Sequence, residues 1–212
     1  MQPSETVGAD GAKVPAHPLA RALSDWTAAE SSDRPLSLLK GGLVEIWDHT
    51  ETELGWVYAE ALGSGGPGGW VPAKQLRKLT GGAALMKTTR ACGAEGEGRL
   101  VSAEGEVLLV SMETATEAGW VHAETSDGEG CGWFPVNALG KLPDNCQWLL
   151  VSQTYGASYK GQVAVREGSQ VLVDPETRTA DGWVYALAMD LEDASGSRQG
   201  WVPSNCLQWP QP

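Results

Sequence analysis

The sequence predicts an all-β protein of three small modules in tandem, each closing short strands into a compact barrel or orthogonal sandwich. Three observations predict it. Tryptophan-centred phrases recur three times at a held spacing, and short runs of alternating apolar residues precede them. No stretch carries the 3.6-residue apolar period of a long amphipathic helix.

The elements follow in chain order. Residues 1–18, rich in Pro, Gly and Ala, have no packing pattern and are expected to be disordered. The modules are expected at residues 19–80, 82–143 and 145–209, with linkers too short for free tumbling, so they should pack into a rigid row. Within each, a glycine (Gly41, Gly105, Gly168) stands 15 residues before the first Trp of the module. Val44 and Ile46, Leu108 and Val110, and Val171 and Val173 then alternate with their neighbours, the signature of a half-buried strand. Next comes Gly55-Trp56-Val57-Tyr58-Ala59, matched by Gly119-Trp120-Val121-His122-Ala123 and Gly182-Trp183-Val184-Tyr185-Ala186. The intervals are 64 residues from Trp56 to Trp120 and 63 from Trp120 to Trp183. A second phrase closes each module: Gly69-Trp70-Val71-Pro72, Gly132-Trp133-Phe134-Pro135 and Gly200-Trp201-Val202-Pro203. Four residues after each proline stands a leucine, Leu76, Leu139 or Leu207. Residues 61–68, 124–131 and 190–199 join the two phrases as Gly-, Ser- and acid-rich hairpin loops.

Strand neighbours face opposite sides of a sheet, so Val57 belongs in the core while Trp56 and Tyr58 share the outer face. An outward indole calls for a partner, whether a ligand or a neighbouring domain. Six of the ten Trp in the chain lie in these phrases, so the repeat accounts for most of an unusual tryptophan content.

Charge narrows the partner. The 212 residues carry Lys+Arg 15 against Asp+Glu 27, a net −12. A nucleic-acid binder needs a cationic stripe that this chain lacks, and acidic membrane surfaces are disfavoured for the same reason. A basic partner is favoured. The second module is the most acidic, with 9 acids against 4 bases over residues 83–142, and its Glu95 and Glu97 could meet a basic ligand. No apolar run reaches the roughly 20 residues a bilayer span requires, so no membrane insertion is expected. Residues 1–18 lack the pattern of a secretory signal, which predicts an intracellular, cytoplasmic protein.

Catalysis and metal binding are not expected. Cys92, Cys131, Cys146 and Cys206 form no C-x-x-C pair, so a zinc site is disfavoured. Reduced thiols are the default, with a Cys146–Cys206 disulfide left open because the two bracket the third module. His17, His49 and His122 are far apart, His122 on a strand surface and His49 in a loop. There is no nucleophile elbow, phosphate loop or H-E-x-x-H, hence no expected enzyme activity and no cofactor.

The residues resemble the SH3 family. Ala22-Leu23-Ser24-Asp25-Trp26 is similar to its ALYDY start, and residues 35–46 to its ELSFKKGDIVEV stretch. Trp56-Val57-Tyr58-Ala59 resembles WWxA. Residues 69–76, 132–139 and 200–207 resemble GWFPSNYV, and Ser204-Asn205 keeps the Ser-Asn pair. The resemblance covers residues 20–208 and is strongest in the first module and in all three C-terminal halves. It implies a five-stranded barrel per module and capture of proline-rich segments in polyproline II form, a stiff ligand that loses little entropy on binding.

Carried over by position, the peptide-contacting residues are Trp26, Glu30, Asp33, Trp56, Trp70 and Pro72 in the first module. They are Trp120, Trp133, Pro135 and Asn137 in the second, and Trp183, Trp201, Pro203 and Asn205 in the third. The resemblance implies that Trp56 walls a pocket, that Pro72 floors it, and that Glu30 and Asp33 pair with a ligand cation. The family's two ALYDY tyrosines and its SNYV tyrosine fall on Ser24, Trp26 and Gln75 in the first module. They fall on Met86, Thr88 and Ala138 in the second, and on Val151, Gln153 and Cys206 in the third, which weakens the implied proline pockets there. The expected function is a non-catalytic adaptor or scaffold for extended, proline-containing, basic segments. The alternatives are a structural subunit of a larger assembly that docks permanently through eroded SH3 surfaces, and a cell-wall-binding module.

Overall fold

A computed structural model describes residues 17–27, 36–62, 67–79, 82–93, 96–126, 128–189 and 198–210. The protein is all-β: its described elements are short strands and single 3-10 turns in several small antiparallel sheets. The expected disordered lead lies almost entirely outside the described residues.

The first repeat contains β1 (Leu19–Ala22), β2 (Trp26–Thr27), β3 (Ser37–Leu38), β4 (Leu43–Trp47), β5 (Trp56–Ala61), β6 (Gly68–Pro72) and β7 (Leu76–Lys78). Its main sheet runs β6-β5-β4-β1-β7, with β2 and β3 as a separate two-stranded ladder. The second repeat contains β8 (Ala83–Thr88), β9 (Val107–Ser111), β10 (Trp120–Thr125), β11 (Cys131–Pro135) and β12 (Leu139–Lys141), in the matching order β11-β10-β9-β8-β12. The third contains β13 (Gln147–Leu150), β14 (Gln170–Asp174), β15 (Trp183–Ala188) and β16 (Gln199–Pro203), in sequential order, with the Val151–Leu207 bridge where a fifth strand would pair.

Alternation builds the cores. Val44 and Ile46, Val57 and Ala59, and Val71 are buried in the first repeat. Leu108, Val110, Val121, Ala123 and Phe134 do the same in the second, and Val171, Val173, Val184, Ala186 and Val202 in the third. Each buried Val, Leu, Ile or Phe side chain stabilises its repeat by about 1.5–3 kcal/mol. The expected half-burial fails in β9, where all five residues are buried. Its outward positions carry apolar Val107 and Leu109, whereas β4 carries Glu45 and Trp47 at alternate positions.

The chain divides into two compact units, one containing Lys78–Leu142 and the other containing Ala20–Arg77 together with Pro143–Pro212. The second unit therefore joins the first and third repeats, an association the sequence reading did not anticipate. An Arg166–Asp25 ion pair at 3.1 Å and a bond from Gln170 Nε2 to the Leu62 carbonyl at 3.0 Å link them. The Lys40 N–H above all holds the Asp25 carboxyl below its ordinary range; burial opposes it, and the Arg166 guanidinium adds a further lowering. A depressed folded-state value adds stability at higher pH that is lost as pH falls through it. Cys146 and Cys206 are not joined by a disulfide.

The glycine of the second phrase has a steric cause. Beneath the long loop of the second repeat, a Cβ on Gly132 would stand 2.6 Å from the Gly98 carbonyl oxygen. In the third repeat a Cβ on Gly200 would stand 2.6 Å from the Gly161 carbonyl oxygen. The loop backbone lies directly on the strand there: Trp133 N donates to Gly98 O and Leu100 N to Trp133 O, and Trp201 N donates to Gly161 O and Val163 N to Trp201 O.

Gly132→Ala and Gly200→Ala should each destabilise their repeat by roughly 2 kcal/mol or more in urea unfolding, because backbone cannot move aside as a side chain can. Gly156→Ala, where a Cβ meets nothing within 4 Å, should stay within about 0.5 kcal/mol of the parent. By NMR, Asp25 should titrate below the ordinary carboxylate range, and Arg166→Ala should return it part of the way; an unmoved midpoint would mean the ion pair is not maintained in solution.

Candidate functional site

The three first-phrase tryptophans are presented by one turn built three times. In the first repeat the Thr50 hydroxyl donates to the Trp47 carbonyl at 2.6 Å and accepts from the Tyr58 N–H at 2.9 Å. Thr114 and Thr177 do the same for His122 and Tyr185. Two residues on, the hydroxyls of Thr52, Thr116 and Thr179 accept from the N–H groups of Trp56, Trp120 and Trp183, each at 3.1 Å. Gly55, Gly119 and Gly182 close the turn at positive φ (74°, 79° and 80°), a conformation that costs glycine little. Their carbonyls accept from the N–H of the residue after each proline: Ala73, Val136 and Ser204. The pattern is Thr-x-Thr-x-x-Gly-Trp. It stands in the sequence three times, and the sequence reading missed the two threonines.

The turn fixes each indole opposite a proline. Trp56 pairs with Pro72, Trp120 with Pro135 and Trp183 with Pro203 across the two hairpin strands. These indoles lie on the outer face, with Val57, Val121 and Val184 fully buried beneath the sheet. Trp56 is 39% exposed, and Trp120 and Trp183 are half-buried. Trp70, Trp133 and Trp201 stand across from Tyr58, His122 and Tyr185, ring edge to ring face at 5.9, 5.9 and 5.7 Å. Each thereby supports an outward aromatic ladder rather than sitting opposite the proline.

The long loop supplies a different facing group in each repeat. In the first, the Trp26 ring meets Trp56 edge-on at 6.4 Å. In the third, Tyr155 meets Trp183 edge-on at 5.9 Å, its hydroxyl bonded to Gln162 Oε1. In the second, the Arg99 guanidinium lies 4.4 Å from the centre of the Trp120 ring. Cys92, Gly93, Arg99, Leu100, Trp120, Trp133 and Pro135 enclose a cleft of about 210 Å³ there.

Backbone pairing corrects the sequence register of these loops. The N–H groups of Leu23, Thr89 and Ser152 donate to the carbonyls of Gln75, Ala138 and Cys206. Trp26 pairs with Leu38, Cys92 with Ser102 and Tyr155 with Val165 at the loop bases. The positions equivalent to Ser24 and Trp26 are thus Arg90 and Cys92, not Met86 and Thr88. In the third repeat they are Gln153 and Tyr155, not Val151 and Gln153. Apolar alternation in β8 and β13 looks alike at either offset, so the pattern alone could not choose. The third repeat therefore keeps an aromatic ring that the sequence alignment had denied it.

Opposite the indoles the troughs are polar or low. Ser24 Oγ donates to Gln75 Oε1 in the first repeat, and Arg90 Nη2 donates to Asn137 Oδ1 at 2.6 Å in the second. Cys206 is buried in the third, where burial raises its thiol pKa, and Asn205 is exposed beside it. Glu30, Asp33 and Glu95 lie outside the described residues, while Glu97 is exposed. His49 lies in a 3-10 turn, and no cluster of metal-ligating groups occurs among the described residues. No helix among them is long and apolar enough to cross a membrane. The chain matches no family model and no curated protein.

Thr114→Val should speed exchange of the His122 amide by about fivefold, the loss of one hydrogen bond of roughly 1 kcal/mol. It should also alter near-ultraviolet tryptophan dichroism. An unchanged exchange rate would deny the hydroxyl its part in holding Trp120.

Proposed function

We propose that this chain is a non-catalytic interaction scaffold of three tandem SH3-like modules that capture extended, proline-containing and basic protein segments. One observation carries the reading: three times over, an outward indole stands opposite a proline, with a long-loop side chain facing it. A trough of that shape suits a polyproline II strand, whose flat proline rings pack on aromatic walls without costly ordering. The net −12 charge favours basic flanks and speeds their approach.

The troughs are not equivalent. Trp26 with Trp56, and Tyr155 with Trp183, wall the first and third with two rings each. The polar Ser24–Gln75 contact stands where the family carries tyrosines, so the first trough offers fewer proline pockets than the family pattern. Affinity should accordingly rest on the indole and be modest.

Titration with an Arg-flanked PxxP peptide should shift the tryptophan emission. Trp56→Ala should weaken binding at the first module by tenfold or more, since truncating a buried aromatic anchor typically removes roughly 2 kcal/mol. Trp183→Ala should do the same at the third. A signal that stays flat across a library of such peptides would sink the reading.

A further inference from the structure

The second trough differs from its two counterparts in a way that assigns it a different ligand. Where the others present a ring to the indole, it presents a guanidinium. Arg99 sits at the loop's return, where its backbone bridges Trp133 in parallel, as Gln162 bridges Trp201 in the third repeat. Room for the side chain is made by Gly96, at φ 117°, where a Cβ would stand 3.0 Å from Arg99 Nε. Arg90, two residues before the cleft-lining Cys92, is bonded to Asn137.

The contact with Trp120 has a chemical consequence. A guanidinium drawn over an indole is held there by its charge and still carries its N–H donors. The edge of that guanidinium matches a carboxylate in bidentate geometry. No carboxylate among the described residues forms an ion pair with Arg99, and the side chain is exposed beside a cleft of about 210 Å³. We propose that the second trough binds an extended segment carrying an acidic side chain, seated on the Arg99 edge over Trp120. This rests on the peptide-binding reading above and reverses its charge preference for one module. Glu97 is exposed two residues away in the same loop and forms no ion pair with Arg99.

The test uses the full chain carrying Trp56→Ala and Trp183→Ala, so that the second trough is the one left. Three labelled, acetylated and amidated proline-rich peptides differ at one central position: Glu, Gln or Lys. A fourth has Gln and a free C-terminus. Affinities come from fluorescence anisotropy at low and physiological salt. The Glu peptide should bind roughly tenfold tighter than the Gln and Lys peptides, with the preference shrinking as salt rises. Arg99→Gln, which installs the residue found at the equivalent place in the third repeat, should bring the Glu-to-Gln ratio to about one. Near-ultraviolet dichroism and the urea midpoint of this variant, compared with the parent, report that the module remains folded. A Glu preference that survives Arg99→Gln overturns the proposal, as does preference for the free C-terminus over the internal Glu. If Lys or Gln peptides bind the parent chain through Trp56 while no Arg99-dependent Glu preference exists, this inference falls alone. If none of the four binds either chain, the peptide-binding reading falls with it.

Discussion

The structure depends on one close approach. In the second and third repeats the backbone of a long loop lies on a strand of the following hairpin, near enough that only glycine fits beneath it. Two hydrogen bonds in each of these repeats tie the loop's return to the strand that carries the second Trp. The next loop residue is then forced inward: Leu100 and Val163 are buried, as is Leu36 at the corresponding place in the first repeat. In the second repeat the residue before it, Arg99, points outward and lies over the first indole. A long loop would ordinarily be the most variable part of such a module, yet here its exit is fixed to within a hydrogen bond.

The threonine turn is the complementary constraint. It sets the indole from below as the loop sets its neighbour from above. Each turn uses two hydroxyls to satisfy strand N–H groups that the hairpin leaves unpaired, and an unpaired buried donor would cost about 1–3 kcal/mol. Because both devices act through backbone, they hold the indole and the proline in place whatever side chain faces them. That separation lets Trp26, Arg99 and Tyr155, drawn from different places in the loop, face the indole without a change of fold.

Much of this was legible in the chain. The phrases around Trp56, Trp120 and Trp183 located the central strands, and alternation placed Val57, Val121 and Val184 in the cores with the indoles outside. The loops were not legible at the same resolution. Their equivalence rests on backbone bonds from Leu23, Thr89 and Ser152, which sequence periodicity does not encode, so the register slipped by four residues in one repeat and by two in another. Arg99 and Tyr155 escaped notice for the same reason: a residue that faces a site across a loop of unfixed length carries no spacing signal. The Thr-x-Thr pair was within reach, since it keeps its distance from the Trp in all three repeats, but hydroxyls in a polar turn look like solvent-facing residues until their acceptors are known. The first-to-third contact through Asp25 and Arg166 joins residues far apart in the chain and leaves no local trace.

A repeated scaffold with an exchangeable facing residue changes how the chain's charge should be weighed. Net charge acts at a distance and sets which partners approach. The facing residue acts at contact, where an unpaired guanidinium edge or a ring decides which side chain is held. If the second trough takes an acidic side chain as proposed, a −12 protein can draw basic segments towards it and still reserve one trough for an acidic one. The three modules then need not compete for one motif.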